Sequence, residues 1–249
     1  MYDPIEVDIS KSLLRDLTKQ CKNRNIQIAL IGGWASYFYV NQTYRQAFGR
    51  DYMGSRDIDI CFKHEKEKEF LELIKEMGFM KNGYRFRWEK IYNRETKQFL
   101  TQEEAKKEEI FNLIYIFLDL FCDQETKLLE CWALEPLKDM KIVIIEDFSL
   151  SDIDTLITLK CHAIFARDKA DKENKDACDL YALINYSSQP IPLNKLLGEA
   201  INKILRRPDL IYSIAQHVLL DVGKQNIVEH TLRSFKSHFK NLHNSKVYP

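Results

Sequence analysis

Two aspartates stand one residue apart at the start of an apolar run in the segment GSRDIDICF, residues 54–62. Asp57 and Asp59 flank Ile58, and the alternation of side chains along a strand sends both carboxylates to the same face, roughly 7 Å apart. Two like charges this close repel each other unless a cation lies between them. Hard divalent cations such as Mg²⁺ prefer carboxylate oxygens. The pair therefore predicts a metal site; the alternative is a strand entry whose polar residues meet solvent.

Two further features could complete such a site. Gly32 and Gly33 lie between the apolar segment IQIALI (26–31) and the segment WASYFYV, and they predict a turn from a strand into a helix. Glycine lets the backbone approach a ligand closely, and a helix start presents free N–H groups to an anion. Asp119 is the one charged residue of the run 113–121, and a carboxylate in a buried strand is costly unless it is paired or bound to metal. A turn that needs glycine only for its backbone, and a strand-end aspartate that reaches water, are the alternatives.

Together these features predict nucleotidyl transfer. Three carboxylates around Mg²⁺, beside a turn that holds a triphosphate, can bind the α-phosphate and activate a hydroxyl for in-line attack. The third carboxylate can accept the hydroxyl proton or complete a second metal site.

The composition narrows the class of protein. The 249 residues suffice for one large or two small domains with a real core. Lys and Arg together number 37, as do Asp and Glu, so no global field recruits nucleic acid or a membrane. The six cysteines form no CxxC pair, and no apolar run approaches a membrane span. We expect a cytoplasmic protein with reduced cysteines and no membrane partner.

The order of elements predicts an α+β fold. Strand-like and helix-like segments mix up to about residue 148: a helix over 9–24, strands over 26–31, 57–62, 84–92, 111–121 and 140–148, and a polar loop over 41–56. The remainder favours helices alone, over 151–167, 172–186, 193–206, 208–220 and 224–243. We expect a domain over residues 1–148 with a mixed sheet and flanking helices, and an all-helical domain over residues 149–249. The mild basic bias of the C-terminal helices fits either a solvated face or an RNA-binding surface.

The segments IGGWASYFYV, SRDIDICF and IFLDLF resemble, in this order, the nucleotidyltransferase superfamily with the DNA polymerase beta-like palm. Two branches are similar: the AbiEii-type toxins and the aminoglycoside nucleotidyltransferases. The segment TLITLKCHAIFARDKADKENKDACDLYAL resembles the toxin branch more closely. The resemblance implies an enzyme with a palm fold, dependent on Mg²⁺ or Mn²⁺, that uses a nucleoside triphosphate such as ATP and releases pyrophosphate.

The resemblance also implies roles for individual residues. The predicted metal ligands are Asp57, Asp59 and Asp119, and the predicted catalytic residues are these three and Asp176. The predicted nucleotide-binding residues are Gly32, Gly33, Ser36, Arg56, Lys160 and Arg167. An ordinary salt-bridged helix pair is the alternative for the residues after 150. Met53 and Ser55 depart from the family's arginine and threonine before the dyad, and Arg50 or Arg56 could replace that arginine from a neighbouring position.

The acceptor stays open among several classes. The toxin branch implies RNA, in particular the tRNA 3′ end, with a cognate antitoxin as a possible protein partner. The aminoglycoside branch implies a small polycationic acceptor in an acidic pocket, and a protein hydroxyl is a third acceptor class. The non-enzymatic alternative is a module that binds nucleotide without turnover. It stays open because the loop before the dyad departs from the family pattern.

Overall fold

The computed structural model describes residues 2–126, 134–166 and 170–244, with the backbone alone for 170–171 and 239–244. The chain divides into two compact units. The first, called the sheet unit, comprises Met1–Ala35 and Gly54–Asp152. The second, called the helical unit, comprises Ser36–Met53 and Ile153–Pro249. The predicted domain boundary after residue 148 stays a prediction.

The strands of the described residues belong to one mixed, eight-stranded sheet in the sheet unit. They are β1 (Ile28–Ile31), β2 (Ile58–Phe62), β3 (Met80–Lys81), β4 (Arg87–Asn93), β5 (Gln98–Leu100), β6 (Leu113–Cys122), β7 (Ile142–Ile145) and β8 (Phe148–Ser151). Their order across the sheet is β3-β4-β6-β2-β1-β8-β7, and β5 pairs with β4. The pairs β2–β6 and β1–β8 are parallel, whereas the other pairs are antiparallel.

The α-helices of the described residues belong to both units. They are α1 (Pro4–Asn23), α2 (Gly32–Phe48), α3 (Glu67–Glu76), α4 (Gln102–Ala105), α5 (Glu135–Lys138), α6 (Ile153–Ala166), α7 (Ala170–Tyr186), α8 (Lys195–Leu205), α9 (Pro208–His217) and α10 (Gln225–Asn244). Helix α2 begins in the sheet unit and continues into the helical unit. None of the helices in the described part of the chain is long and apolar enough to cross a membrane.

One face of the sheet carries the core of the sheet unit. Along β2 the buried side chains of Ile58, Ile60 and Phe62 share this face, because alternate residues of a strand point the same way. The ring of Phe62 packs on Phe70 of α3, with centroids 4.8 Å apart. Helix α1 contributes Leu13, Leu14, Leu17 and Cys21, which recur at helical spacing and are buried. The positions of β2 that alternate with this set belong to the opposite face.

The helical unit has a core of its own, to which residues 36–53 contribute. The Tyr44 hydroxyl donates a hydrogen bond to the backbone oxygen of Val218 at 2.7 Å, and its ring meets Tyr186 edge-on with centroids 5.4 Å apart. Among the C-terminal helices, α7 packs against α6 and α9, and α10 packs against α8 and α9. Their apolar faces are fully buried at positions such as Leu183 and Ile204.

The predicted fold class is confirmed: a mixed sheet with flanking helices precedes a helical part. Several boundaries differ from the predictions, and two of these differences concern whole segments. The segment 41–56 begins as helix, because α2 continues to Phe48, where Tyr44 and Phe48 pack on Tyr186. The predicted strand over 140–148 is instead the start of a hairpin, β7 and β8, whose turn places Glu146 at φ 53°.

Candidate active site

Four side chains form a row across neighbouring strands of the sheet unit. In the register of the sheet, Ile31 of β1 is opposite Asp59 of β2, Asp59 is opposite Asp119 of β6, and Asp119 is opposite Arg87 of β4. Opposite residues of paired strands share a face, so these two carboxylates and the guanidinium project from the same side of the sheet. The apolar residues Ile58 and Ile60 alternate with Asp59 along β2 and therefore point to the opposite face of the sheet.

The glycine turn lies directly against the second aspartate of the dyad. Helix α2 begins at Gly32, immediately after β1 ends at Ile31. Gly32 has φ +66°, a left-handed conformation that side chains rarely adopt. A Cβ at this position would lie 2.1 Å from Oδ2 of Asp59. Glycine is therefore required here twice, by the backbone conformation and by the close approach of the carboxylate.

The loop that carries Asp57 is anchored before the strand begins. Ser55 is 3% exposed, and a Cβ at Gly54 would lie 2.3 Å from Cγ1 of Val7 and 3.2 Å from Cη2 of Trp34. The Trp34 indole in turn donates a hydrogen bond to the hydroxyl of Ser10 at 3.0 Å. This packing fixes the backbone that enters the dyad.

Arg56 contacts the first aspartate of the dyad. Its Nε donates to Oδ1 of Asp57 at 3.2 Å, and its guanidinium lies over the rings of Tyr2 and Phe117, at 5.3 and 5.5 Å from their centroids. Of the two arginines that could replace the family's arginine, Arg56 is therefore the one beside the dyad. Arg50 is an exposed residue of the helical unit.

Arg87 is a site residue that the sequence did not reveal. Its Nε and Nη2 donate to the two oxygens of Asp119 at 2.7 and 2.6 Å, in a bidentate pair whose side chains are 18% and 10% exposed. The sequence predicts only a strand for the segment around Arg87. The pairing of β4 with β6 brings Arg87 opposite Asp119, and no local pattern specifies that register.

The charges of all three aspartates act on the protonation of Arg87. Its hydrogen bond to Asp119 raises the pKa of Arg87; burial opposes this effect, and the charges of Asp119, Asp57 and Asp59 add to the increase. The guanidiniums of Arg56 and Arg87 thus offset two of the three negative charges of Asp57, Asp59 and Asp119, which together are called the carboxylate row.

Carboxylate oxygens are the donor chemistry that a hard divalent cation requires, and Asp57, Asp59 and Asp119 supply them on or next to the paired strands β2 and β6. In that respect Asp57, Asp59 and Asp119 fit Mg²⁺. Within residues 2–126, 134–166 and 170–244, however, no group of three or more His, Cys, Asp or Glu side chains is arranged to hold a metal ion. In this arrangement the oxygens of Asp119 face Arg87, and one oxygen of Asp57 faces Arg56.

Asp123, the next aspartate after Asp119 along the chain, lies elsewhere. Oδ1 of Asp123 accepts a hydrogen bond from the backbone N–H of His64, and Oδ2 accepts one from Lys63. These contacts join Asp123 to the far end of β2, about 13 Å along the strand from the register of Asp119. Asp123 therefore stabilises the connection between β2 and α3 and does not belong to the carboxylate row.

The predicted residues Lys160 and Asp176 form a buried cluster with Asp179. Nζ of Lys160 donates to Asp176 at 2.9 Å and to Asp179 at 2.6 Å, and these side chains are 7%, 4% and 0% exposed. Asp179 also accepts from the Tyr52 hydroxyl at 2.9 Å and from Lys175 at 3.2 Å. These contacts are those of a salt-bridged helix pair between α6 and α7.

Charge pairing governs protonation in this cluster. Burial alone would lower the pKa of Lys160, but the charges of Asp176 and Asp179 raise it above its ordinary value. Burial alone would raise the pKa of Asp179, but Lys160 and Lys175 lower it. Both partners therefore stay ionised although they are buried.

The remaining predicted residues are placed as follows. Gly33 is the buried second residue of α2, and Ser36 is fully buried one turn later. Arg167 lies outside the described residues. The roles proposed for Ser36, Lys160, Asp176 and Arg167 stay predictions.

No family model matches the chain, and no curated protein matches it. The crystal structure of an antigenic nucleotidyltransferase-like protein from Paracoccidioides brasiliensis is 17% identical, with a TM-score of 0.48 over 85% of this chain and 94% of that one. The solution structure of the antibiotic-resistance factor ANT(2'')-Ia is 14% identical, with a TM-score of 0.35 over 96% of this chain and 99% of that one. The crystal structure of ANT(2'')-Ia in complex with adenylyl-2''-tobramycin is 13% identical, with a TM-score of 0.38 over 90% and 96%. Likenesses of this strength carry no argument about function, so the case depends on the residues of this chain.

Proposed function

We propose that the protein is a nucleotidyltransferase that moves a nucleoside monophosphate from a nucleoside triphosphate to an acceptor hydroxyl. The single observation that supports this most strongly is the strand register, which places Asp59 opposite Asp119 and directly against the glycine turn at the start of α2. A cation-binding carboxylate row and a phosphate-accepting helix start are the two parts that this reaction needs in one place.

In the proposed reaction, the acceptor oxygen attacks the α-phosphorus and forms a new P–O bond, while the bond to the bridging oxygen breaks and pyrophosphate leaves. Asp57, Asp59 and Asp119 would hold Mg²⁺, which supplies Lewis-acid stabilisation of the α-phosphate and of the leaving group. The N–H groups at the start of α2, from Gly32 and Gly33 onward, orient the triphosphate. Arg56, already beside Asp57, neutralises phosphate charge. A carboxylate of the row takes the proton of the acceptor hydroxyl.

For the acceptor we propose RNA, in particular the tRNA 3′ end. A groove of about 380 Å³ lies between α8 and α10 of the helical unit, and its lining residues are Asn202, Leu205, Arg206, Arg233, Lys236 and Ser237. Three of these six side chains are cationic and none is acidic. Such a lining attracts a phosphate backbone and repels a polycationic small molecule.

The test is incubation of the full chain with Mg²⁺, total tRNA and each labelled nucleoside triphosphate in turn. We expect one nucleotide to label RNA, and Asp57→Ala to abolish the label. Asp16→Asn, on an exposed position of α1, is the charge control and should keep it. Label on RNA that persists in Asp57→Ala would contradict the assignment of the row.

Other outcomes would identify the alternatives. Pyrophosphate release that depends on Asp57 but labels no RNA would point to a protein or small-molecule acceptor. Tight nucleotide binding without pyrophosphate release would identify a binding module without turnover.

A second test addresses the groove. Arg206→Glu together with Arg233→Glu should raise the KM for RNA severalfold and leave the KM for nucleotide unchanged. Lys195→Glu is the control, since the Lys195 side chain is 90% exposed. Equal effects of the groove variant and the control would remove the groove from RNA binding.

A further inference from the structure

The pair of Arg87 and Asp119 conflicts with a simple metal-ligand role for Asp119. Both oxygens of Asp119 accept hydrogen bonds from one guanidinium, and the carboxylate is 10% exposed. A metal ion at these oxygens would lie beside a permanent positive charge, and like charges in contact disfavour each other. Both oxygens of Asp119 are therefore committed to Arg87.

The guanidinium of Arg87 is placed so that it could bind a second anion. The planar fork that fits a carboxylate also fits a phosphate. The side chain is 18% exposed, so it retains an edge toward solvent. Aromatic rings surround it without consuming its donors: Cζ lies 4.8 Å from the centroid of Phe117, 5.9 Å from that of Phe86 and 6.0 Å from that of Tyr84. A triphosphate at the row would bring phosphate oxygens within the field of this cation.

We propose that Arg87 is a positioning residue that keeps metal off Asp119 in the free chain and releases this carboxylate when a nucleoside triphosphate binds, its guanidinium passing from Asp119 to the phosphates. The proposal rests on the proposed function, because it requires a triphosphate at the carboxylate row. It implies an order of binding: the dyad of Asp57 and Asp59 accepts a cation first, and Asp119 joins only with nucleotide. This order of binding would suppress turnover until both the cation and the nucleotide are bound.

The experiment measures Mn²⁺ binding to the full chain by electron paramagnetic resonance, without acceptor. In the absence of nucleotide, we expect Arg87→Gln to bind Mn²⁺ at least tenfold more tightly than the wild type, which corresponds to about 1.4 kcal/mol. The gain should vanish in the double variant Arg87→Gln, Asp119→Asn. Arg15→Gln, which removes the same charge from an exposed position of α1, should leave the affinity unchanged. A residue that only supported the fold would lower metal affinity when removed, so the sign of the change is diagnostic.

A measurement without an Arg87 variant keeps the proposal testable if that variant fails to fold. We expect the wild type to bind an additional Mn²⁺ when a non-reactive α,β-methylene triphosphate is added, and Asp119→Asn to lose that additional ion alone. The proposal is overturned if Asp119→Asn weakens Mn²⁺ binding tenfold without nucleotide, or if Arg87→Gln binds Mn²⁺ no more tightly than the wild type. Failure of the proposed function gives a different result: Mn²⁺ binding would be insensitive to Asp57→Asn in every condition.

Discussion

Substitution of Gly32 by alanine tests whether the transfer rate depends on the position of Asp59, apart from any loss in the free energy of unfolding. A residue other than glycine in the left-handed region costs about 1–2 kcal/mol, and Gly32 has φ +66°. Its new Cβ would also lie 2.1 Å from Oδ2 of Asp59, whereas real Cβ contacts are essentially never under 3.0 Å. The carboxylate must therefore move by about 1 Å, a misplacement that can cost about 100-fold in rate.

Gly49 provides a matched control for this prediction. It has φ +68°, and a Cβ there would meet nothing within 4 Å. Gly49→Ala should therefore carry the same backbone penalty, about 1–2 kcal/mol of unfolding free energy, without disturbing Asp59.

The assays are urea unfolding for stability and pyrophosphate release for activity. We expect Gly49→Ala to lose only the backbone penalty, Gly32→Ala to lose at least as much stability, and Gly32→Ala alone to lose about 100-fold or more of the transfer rate. If Gly32→Ala transferred within tenfold of Gly49→Ala, the position of Asp59 beside the turn would not be required, and the reasoning about the site would be refuted.

Further predictions concern the buried cluster of the helical unit. Lys160→Met should destabilise the protein by about 3–5 kcal/mol in urea unfolding, because it leaves buried carboxylates without their main counter-charge; Lys195→Met, at an exposed position, should cost under about 0.5 kcal/mol, and equal losses would contradict this. Tyr52→Phe should cost about 1–3 kcal/mol by the same assay, since it removes a hydrogen bond to a buried charged group, and an unchanged midpoint would exclude that bond. The folded-state pKa of Asp179 is lowered, so its stabilisation is complete above its ordinary pKa of 3.8 and is lost as the pH falls through the folded-state pKa. The stability difference between the wild type and Asp179→Asn should therefore shrink as the pH falls below 3.8, and a difference independent of pH would contradict the pairing.

Local sequence patterns were sufficient for much of the carboxylate row. The strand that follows Asp57 and the helix that follows Gly32 depend on neighbours along the chain, so alternation and turn chemistry predict them. Asp119 stood out because its run is otherwise without charge. No local pattern predicts the parallel pairing that places Asp119 opposite Asp59. The two residues are expected to lie together only because three carboxylates could share one metal site.

The missed features depend on contacts between distant segments. Arg87 is 32 positions from Asp119, and its charge on an alternating strand is equally compatible with solvent. The second half of α2 contains Asn41 and Thr43, which are poor helix formers, whereas the packing of Tyr44 on Val218 and Tyr186 stabilises it as helix. Tertiary packing therefore overrides propensity there.

The central claim is that the carboxylate row transfers the α-phosphate of a nucleotide with its nucleoside. The most direct measurement compares one nucleoside triphosphate labelled at the α-phosphate with the same nucleotide labelled at the γ-phosphate, using the wild type and Asp59→Asn with total RNA. The account predicts that RNA acquires the α-label only, that pyrophosphate carries the γ-label, and that Asp59→Asn abolishes both. Transfer of the γ-label to the acceptor, or α-label transfer that persists in Asp59→Asn, would contradict it.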